Sequence, residues 1–250
     1  PEMATTYNHT TNIATPLSQR EGLGAGGYYS PNPKFHVAVD CIIFGFRRYE
    51  LKVLLQQRPF EPHKGEWSLM GGFVQTDEDL DKAASRVLTE LTGLTGVYMK
   101  QLGAFGNVQR DSGDRVISVA YMALLDIDRV DEKLNRQHAA HWESIDEVPK
   151  LIFDHNQMVK LAHRRLKEAV QTQPVGFQLL PTLFTLTQLQ TLYEAILGQT
   201  LDKRNFRKRI GEMPFIEKTD LIDKQTSRRG AALYCFNHED FNSGEQPFKL

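Results

Sequence analysis

The segment Lys203-Arg204-Asn205-Phe206-Arg207-Lys208-Arg209 concentrates five basic residues in seven. It does so in a chain whose 30 Lys and Arg and 31 Asp and Glu leave a formal net charge of -1. At 100° per residue, a helix here turns Phe206 and Ile210 to one face and Arg204, Asn205 and Lys208 away from it, with Arg207 and Arg209 flanking. Arg can pair two acceptors on guanine, Asn can bridge adenine, and the flanking cations can meet phosphate, which is the chemistry of a major-groove reader. A solvated basic face would have the same composition, so the flanking sequence decides. Upstream, Leu189, Leu192, Tyr193 and Ile196 repeat at helical spacing behind a cap at Thr187, and Gly198 stops the run. Asp202 caps the basic helix, and Gly211 and Pro214 end it. Two β-like runs, Phe215–Thr219 and Ala231–Phe236, enclose a polar loop containing Lys224, Arg228 and Arg229. Helix, short turn, basic helix and hairpin predict a winged helix-turn-helix. It would bind double-stranded DNA through Lys203, Arg204, Asn205, Arg207, Lys208, Lys224, Arg228 and Arg229.

The elements ahead of this segment read differently. Residues 1–32 are rich in Thr, Asn, Ser and Gly without apolar periodicity and are expected to form a flexible tail. Strand-like runs follow at Phe35–Phe44 and Leu51–Arg58, then a loop from Pro59 to Glu66 and a further run at Trp67–Val74. From Asp79 to Leu91 the pattern turns helical, with Leu80, Ala83, Ala84, Val87, Leu88 and Leu91 on one stripe and Gly93 as the stop. Strands are expected around Tyr98–Phe105 and Val116–Leu125, another near Trp142, and a long amphipathic helix over Asn156–Val170. This alternation makes residues 33–171 an α/β domain. Gln171-Thr172-Gln173-Pro174 breaks the helix and marks the boundary with residues 172–250. Cys41 and Cys235 lie far apart in apolar runs, which argues against a disulfide framework. No apolar run approaches the length of a membrane span and no signal peptide is evident, so the expected compartment is the cytoplasm. The histidines, among them His138, His141, His155 and His163, show no metal-ligand spacing and are expected to be structural.

Between the third strand and the first helix a fixed spacing holds. Gly72 is followed after five residues by Glu78, after seven more by Arg86, and then by Leu88, Glu90, Gly93 and Leu94. This register resembles the Nudix family, whose box reads G-x5-E-x7-R-E-U-x-E-E-x-G-U with U apolar. In active members a helix presents several carboxylates to hold divalent cations against a diphosphate. Here Val87 and Leu91 stand where two of the three helix carboxylates would be, and neither side chain can ligate a metal. The resemblance therefore implies the fold without the reaction: no catalytic residue, no metal and no cofactor are expected. It also implies a cleft beside the sheet, near which lie Asp40, Arg58, Lys64, Glu66 and Trp67. A flat indole with a nearby acid and base suits a polyhydroxylated ligand, while Asp40, set among Val39, Cys41 and Ile42, needs a partner if buried.

Taken together, an α/β Nudix-like sandwich domain and a C-terminal winged helix-turn-helix resemble the Nudix-related transcriptional regulator family. Leu201–Arg207 and Pro149–His155 carry further likeness. Membership implies a homodimeric, non-enzymatic regulator, expected to be a repressor, that binds operator DNA and senses a small-molecule effector, without membrane association. Resemblance points to L-arabinose or a related sugar as effector, in sugar utilisation, with ADP-ribose as the runner-up. Two other classes remain: a Mg²⁺-dependent pyrophosphohydrolase acting on ADP-ribose or another nucleoside diphosphate derivative, and a ligand-storage or scaffold protein whose basic helix binds nothing.

Overall fold

The structure, a computed structural model, describes residues 32–130, 139–224 and 230–237. Long runs of β-branched and aromatic residues build its larger sheet. Strand β1 (His36–Arg47) is central. It pairs antiparallel with β2 (Glu50–Gln57) over Phe44–Arg47 and with β4 (Met70–Phe73) over Ala38–Cys41. On its other side it pairs in parallel with β6 (Val116–Leu124), which in turn pairs antiparallel with β5 (Tyr98–Phe105). β2 also carries β3 (Trp67–Ser68) and β7 (Ala140–Ser144), completing seven strands among the described residues.

Because side chains alternate along a strand, β1 divides its residues between two cores. Val39, Cys41 and Ile43 point into a cluster with Ala83, Ala84, Val87, Leu88 and Leu91 of helix α1 (Leu80–Thr92). Ile42 and Phe44 point the other way, with Ala120, Met122 and Leu124 of β6, onto Met158, Ala162 and Leu166 of helix α2 (His155–Thr172). The same alternation sends Asp40 and Ser118 to the α2 face. Gly45 leaves room on β1 for a short 3-10 helix, Ile127–Arg129: a Cβ at this position would collide with the side chains of Ile127 and Trp142.

Beyond α2 a further 3-10 segment, Pro174–Leu179, leads to the smaller unit of structure. It consists of β8 (Phe184–Thr185), α3 (Leu186–Leu197), α4 (Lys203–Gly211), β9 (Ile216–Asp223) and β10 (Ala231–Phe236). The three strands form a sheet in the order β8-β10-β9. The cap of α3 is Thr185, not the expected Thr187. Thr185 and Gln188 form a reciprocal capping box, which satisfies two helix-end donors at once and fixes the start two residues earlier than Thr187 would. The architecture is a Nudix-like α/β domain followed by a winged helix. Packing does not stop at residues 171–174. Val175, Phe177, Leu179 and Leu180 belong to a single buried cluster that also holds Ile42 and Phe44 on one side and Phe184, Leu189, Phe206 and Ile210 on the other.

Candidate functional sites

Helix α4 displays the basic segment as helical geometry requires. Asp202 caps it by accepting a hydrogen bond from the Asn205 amide at 2.8 Å. Phe206 and Ile210 are buried, and the Phe206 ring lies 6.2 Å from that of Tyr193 in α3. Lys203, Arg204, Asn205, Arg207, Lys208 and Arg209 are all exposed, as is Lys224 at the end of β9. Arg228 and Arg229 lie outside the described residues, as does His138.

A second set of polar groups gathers where β1, β6, the loop before β6 and the start of α2 meet. Asp40 is 7% exposed. Its Oδ2 accepts a hydrogen bond from Ser118 Oγ at 2.5 Å and lies 3.5 Å from Arg110 Nη2 and 3.6 Å from His155 Nε2. Arg110 also makes a two-pronged pair with Asp154, Nε to Oδ2 at 3.0 Å and Nη2 to Oδ1 at 2.8 Å. The Leu69 amide donates to His155 Nδ1 at 3.1 Å, which leaves Nε2 to carry the ring proton toward Asp40. Burial pushes the Asp40 carboxyl up, but His155, Ser118 and Arg110 outweigh it and hold the group below the usual aspartate range. Close approach is possible because Gly71 of β4 has no side chain; a Cβ there would run into Asp40 Oδ1. Phe153, in a left-handed conformation at φ 51°, sets its ring near two guanidiniums, 5.5 Å from Arg58 and 5.8 Å from Arg110. Arg58 also stacks on Phe60 at 4.2 Å, and its Nε is buried without a hydrogen-bond partner.

The structure thus divides the five side chains expected to line one cleft. Asp40 and Arg58 share the charged cluster. The Trp67 ring packs edge-on against His141 at 5.5 Å and against the apolar core, and its residue pairs with Gln57 of the neighbouring strand β2. Lys64 and Glu66 are exposed on the intervening loop, where Glu66 pairs with His63 at 2.8 Å. His155, expected to be structural, is buried in the cluster between the Leu69 amide and Asp40. Arg110 escaped the sequence reading, and Phe153 and Asp154 entered it only within the stretch Pro149–His155, since these segments lack periodicity and Arg110 meets Asp154 across 44 residues of chain.

The box residues are spent on structure. Arg86 grips Glu78 with Nε at 3.0 Å and Nη2 at 2.7 Å, and approaches Glu90 at 3.5 Å. Val87 and Leu91 are buried against the sheet. Among the described residues no three His, Cys, Asp or Glu side chains converge as a metal site. The residues present do not fit a Mg²⁺ ion held against a diphosphate, whose dehydration several free carboxylates must compensate.

A Nudix-like body fused to a winged helix with a cationic outer face defines a class, that of DNA-binding regulators joined to a small-molecule domain. Residues 34–168 match the NUDIX domain family, and residues 176–236 match the family described as the NrtR DNA-binding winged helix domain. Over 217 residues the chain is 35% identical to the ADPR responsive transcriptional repressor NtrR of Acinetobacter baylyi, covering 85% of this chain and 86% of that one. It is also similar to Shewanella oneidensis NrtR in complex with a 27mer DNA. There the TM-score is 0.75 at 30% identity, covering 85% of this chain and 99% of the other. Its Nudix part is 34% identical to an ADP-ribose pyrophosphatase of Methanocaldococcus jannaschii over 125 residues, half of this chain and 70% of the relative. The chain belongs to the NrtR-type family of Nudix-related transcriptional regulators. Arabinose, expected from the resemblance, finds no support in these likenesses, two of which carry ADP-ribose in their names. No helix among the described residues is long and apolar enough to cross a membrane.

Proposed function

We propose that this protein is a transcriptional repressor that binds operator DNA as a homodimer through α4 and the β9–β10 wing, and that its Nudix-like domain senses ADP-ribose without hydrolysing it. The observation that carries the DNA half is the face of α4. Only Phe206 and Ile210 are buried there, while six consecutive-turn polar residues, five of them basic, face solvent. Likeness over most of the chain to a relative solved on DNA supports the same reading.

The effector reading rests on the cluster around Phe153. The Arg58 guanidinium, which makes none of the ion pairs found among the described residues, lies beside the Phe153 ring. Cation and ring match a ligand that is both anionic and flat, since Arg binds phosphate oxygens with two donors and a ring stacks on a base. The unpartnered Arg58 Nε is a buried donor that such an oxygen would satisfy. An uncharged pentose would leave that donor and the Arg58 charge unanswered, whereas Asp154 and Asp40 already meet the charge of Arg110. The name of the Acinetobacter baylyi relative agrees with ADP-ribose. The likeness to a pyrophosphatase favours hydrolysis as a second reading. Against it stand Val87 and Leu91 in the core and Glu78 clasped by Arg86.

Titrating labelled DNA from upstream of the protein's own gene, with ADP-ribose or L-arabinose added, tests the proposal. A shift in affinity with ADP-ribose alone is expected, by linkage between the two sites. A shift with arabinose alone would restore the sugar reading, and Mg²⁺-dependent release of AMP from ADP-ribose at enzyme rates would restore the hydrolase.

A further inference from the structure

The hairpin joining β1 to β2 is closed by two residues. Arg47 pairs with Glu50, so Arg48 and Tyr49 alone make the turn. Both have left-handed backbone conformations, at φ 53° and φ 67°. A turn with two positive φ values suits the twist of a hairpin, but it is normally filled by Asn-Gly because larger side chains are strained there. Here the two positions hold large side chains, both exposed, and Tyr49 keeps 69% of its surface in solvent. Neither belongs to the buried clusters of the described residues. Strain held at an exposed tip directs attention to what the tip faces.

It faces the winged helix. A cleft of about 770 Å³ has Arg47, Arg48 and Tyr49 on one wall, and on the other Arg207 of α4 with Gly230 and Ala231 at the base of the wing. Asp126 and Asp128 also line this cleft, so the basic surface is not continuous across it. Arg207, one of the exposed cations of α4, and Arg48 stand as separate cations on its two walls. Arg47 is held by Asp128 at 2.6 Å, whereas Arg48 makes none of the ion pairs found among the described residues. We propose that Arg48 and Tyr49 contact the DNA backbone beside the site read by α4, so that the Nudix-like body itself holds the duplex. The guanidinium would pair with a phosphate and the phenol would donate to one, contacts that add affinity and no sequence preference. This rests on the DNA-binding reading above.

The test uses the full chain, a duplex from upstream of its own gene, and a scrambled duplex of equal length, each titrated at several salt concentrations. Arg48→Ala is expected to weaken both complexes severalfold and alike, and to reduce the slope of log affinity against log salt by about 0.9, the loss of one phosphate contact. The double variant R48N/Y49G is expected to bind DNA as weakly while melting at a higher temperature, because its turn is relaxed. Unchanged affinity and slope in Arg48→Ala would overturn the proposal, as would a loss confined to the upstream duplex. A variant that keeps DNA binding but loses its response to ADP-ribose would also overturn it and make the cleft an effector site. Failure of the unsubstituted protein to bind either duplex would instead remove the DNA-binding reading itself.

Discussion

Arg204 and Lys224 are both exposed cations, yet they should behave differently on DNA. Arg204 projects from the outer face of α4, where a bidentate pair with guanine is geometrically open. Arg204→Ala should cost about 1–3 kcal/mol on the true operator and much less on scrambled DNA. Lys224, at the root of the wing, should on substitution by Ala weaken both complexes alike and flatten their salt dependence. Titration of both variants on both duplexes separates the two roles, and equal losses for Arg204→Ala would reduce α4 to a basic surface. In the effector cluster, Arg58→Gln removes the donor poised beside Phe153. Its expected phenotype is DNA affinity that no longer responds to ADP-ribose, with binding in the absence of effector unchanged; a full response would take Arg58 out of the site. Trp67→Ala, by contrast, should lower the melting temperature, because its ring lies on His141 and the core. The sequence made Asp40 legible as a charge in need of partners, since an acid within an apolar strand is conspicuous. It could not name those partners. Ser118, Arg110 and His155 reach Asp40 only through the parallel pairing of β1 with β6 and the path of the chain into α2.

At the scale of elements, period and capping chemistry located most of the helices. The stripe Ala83, Ala84, Val87, Leu88 and Leu91 is buried as its spacing requires, and Asp79 caps α1 through the Lys82 amide at 2.8 Å. The misplaced start of α3 shows the limit of that logic: Thr185 and Thr187 are both competent caps, and only the three-residue spacing to Gln188 distinguishes them. The clasp of Arg86 on Glu78 ties α1 to the segment after β4 and has a consequence for acid stability. Arg86 and the Gln75 amide hold the Glu78 carboxyl down at about 2, from an ordinary value of 4.5. A carboxylate depressed in the folded state contributes stability that is complete above about pH 4.5 and is lost as pH falls toward 2. Glu78→Gln should therefore melt lower than the parent protein at pH 7, with the difference shrinking below pH 4.5 and vanishing near pH 2. A difference in melting temperature that stays constant from pH 7 to pH 2 would show that the clasp contributes through packing alone.

At the scale of the whole molecule, the sequence places a boundary at residues 171–174, where composition changes and α2 ends. Physical packing runs straight through it. Phe177 is buried, stacked on Phe236 at 4.6 Å and tilted against Phe184 at 5.4 Å, in the same cluster as Ile42, Phe44 and Met158 of the Nudix-like body. Such burial is invisible to composition, because a connecting segment and a core segment can share the same residues. A core shared in this way predicts that the two parts unfold together. Both tryptophans, Trp67 and Trp142, lie in the Nudix-like body. Their fluorescence therefore reports one part, while far-ultraviolet circular dichroism reports both. Phe177→Ala leaves a cavity in the shared core and should cost about 3–5 kcal/mol. If the core is one cooperative unit, the tryptophan and dichroism transitions of the parent coincide, and both move down by the same amount in Phe177→Ala. A tryptophan transition that stays in place while the dichroism signal splits into two steps would mean that the winged helix melts alone. Effector binding in the body would then have to reach α4 by some route other than this shared core.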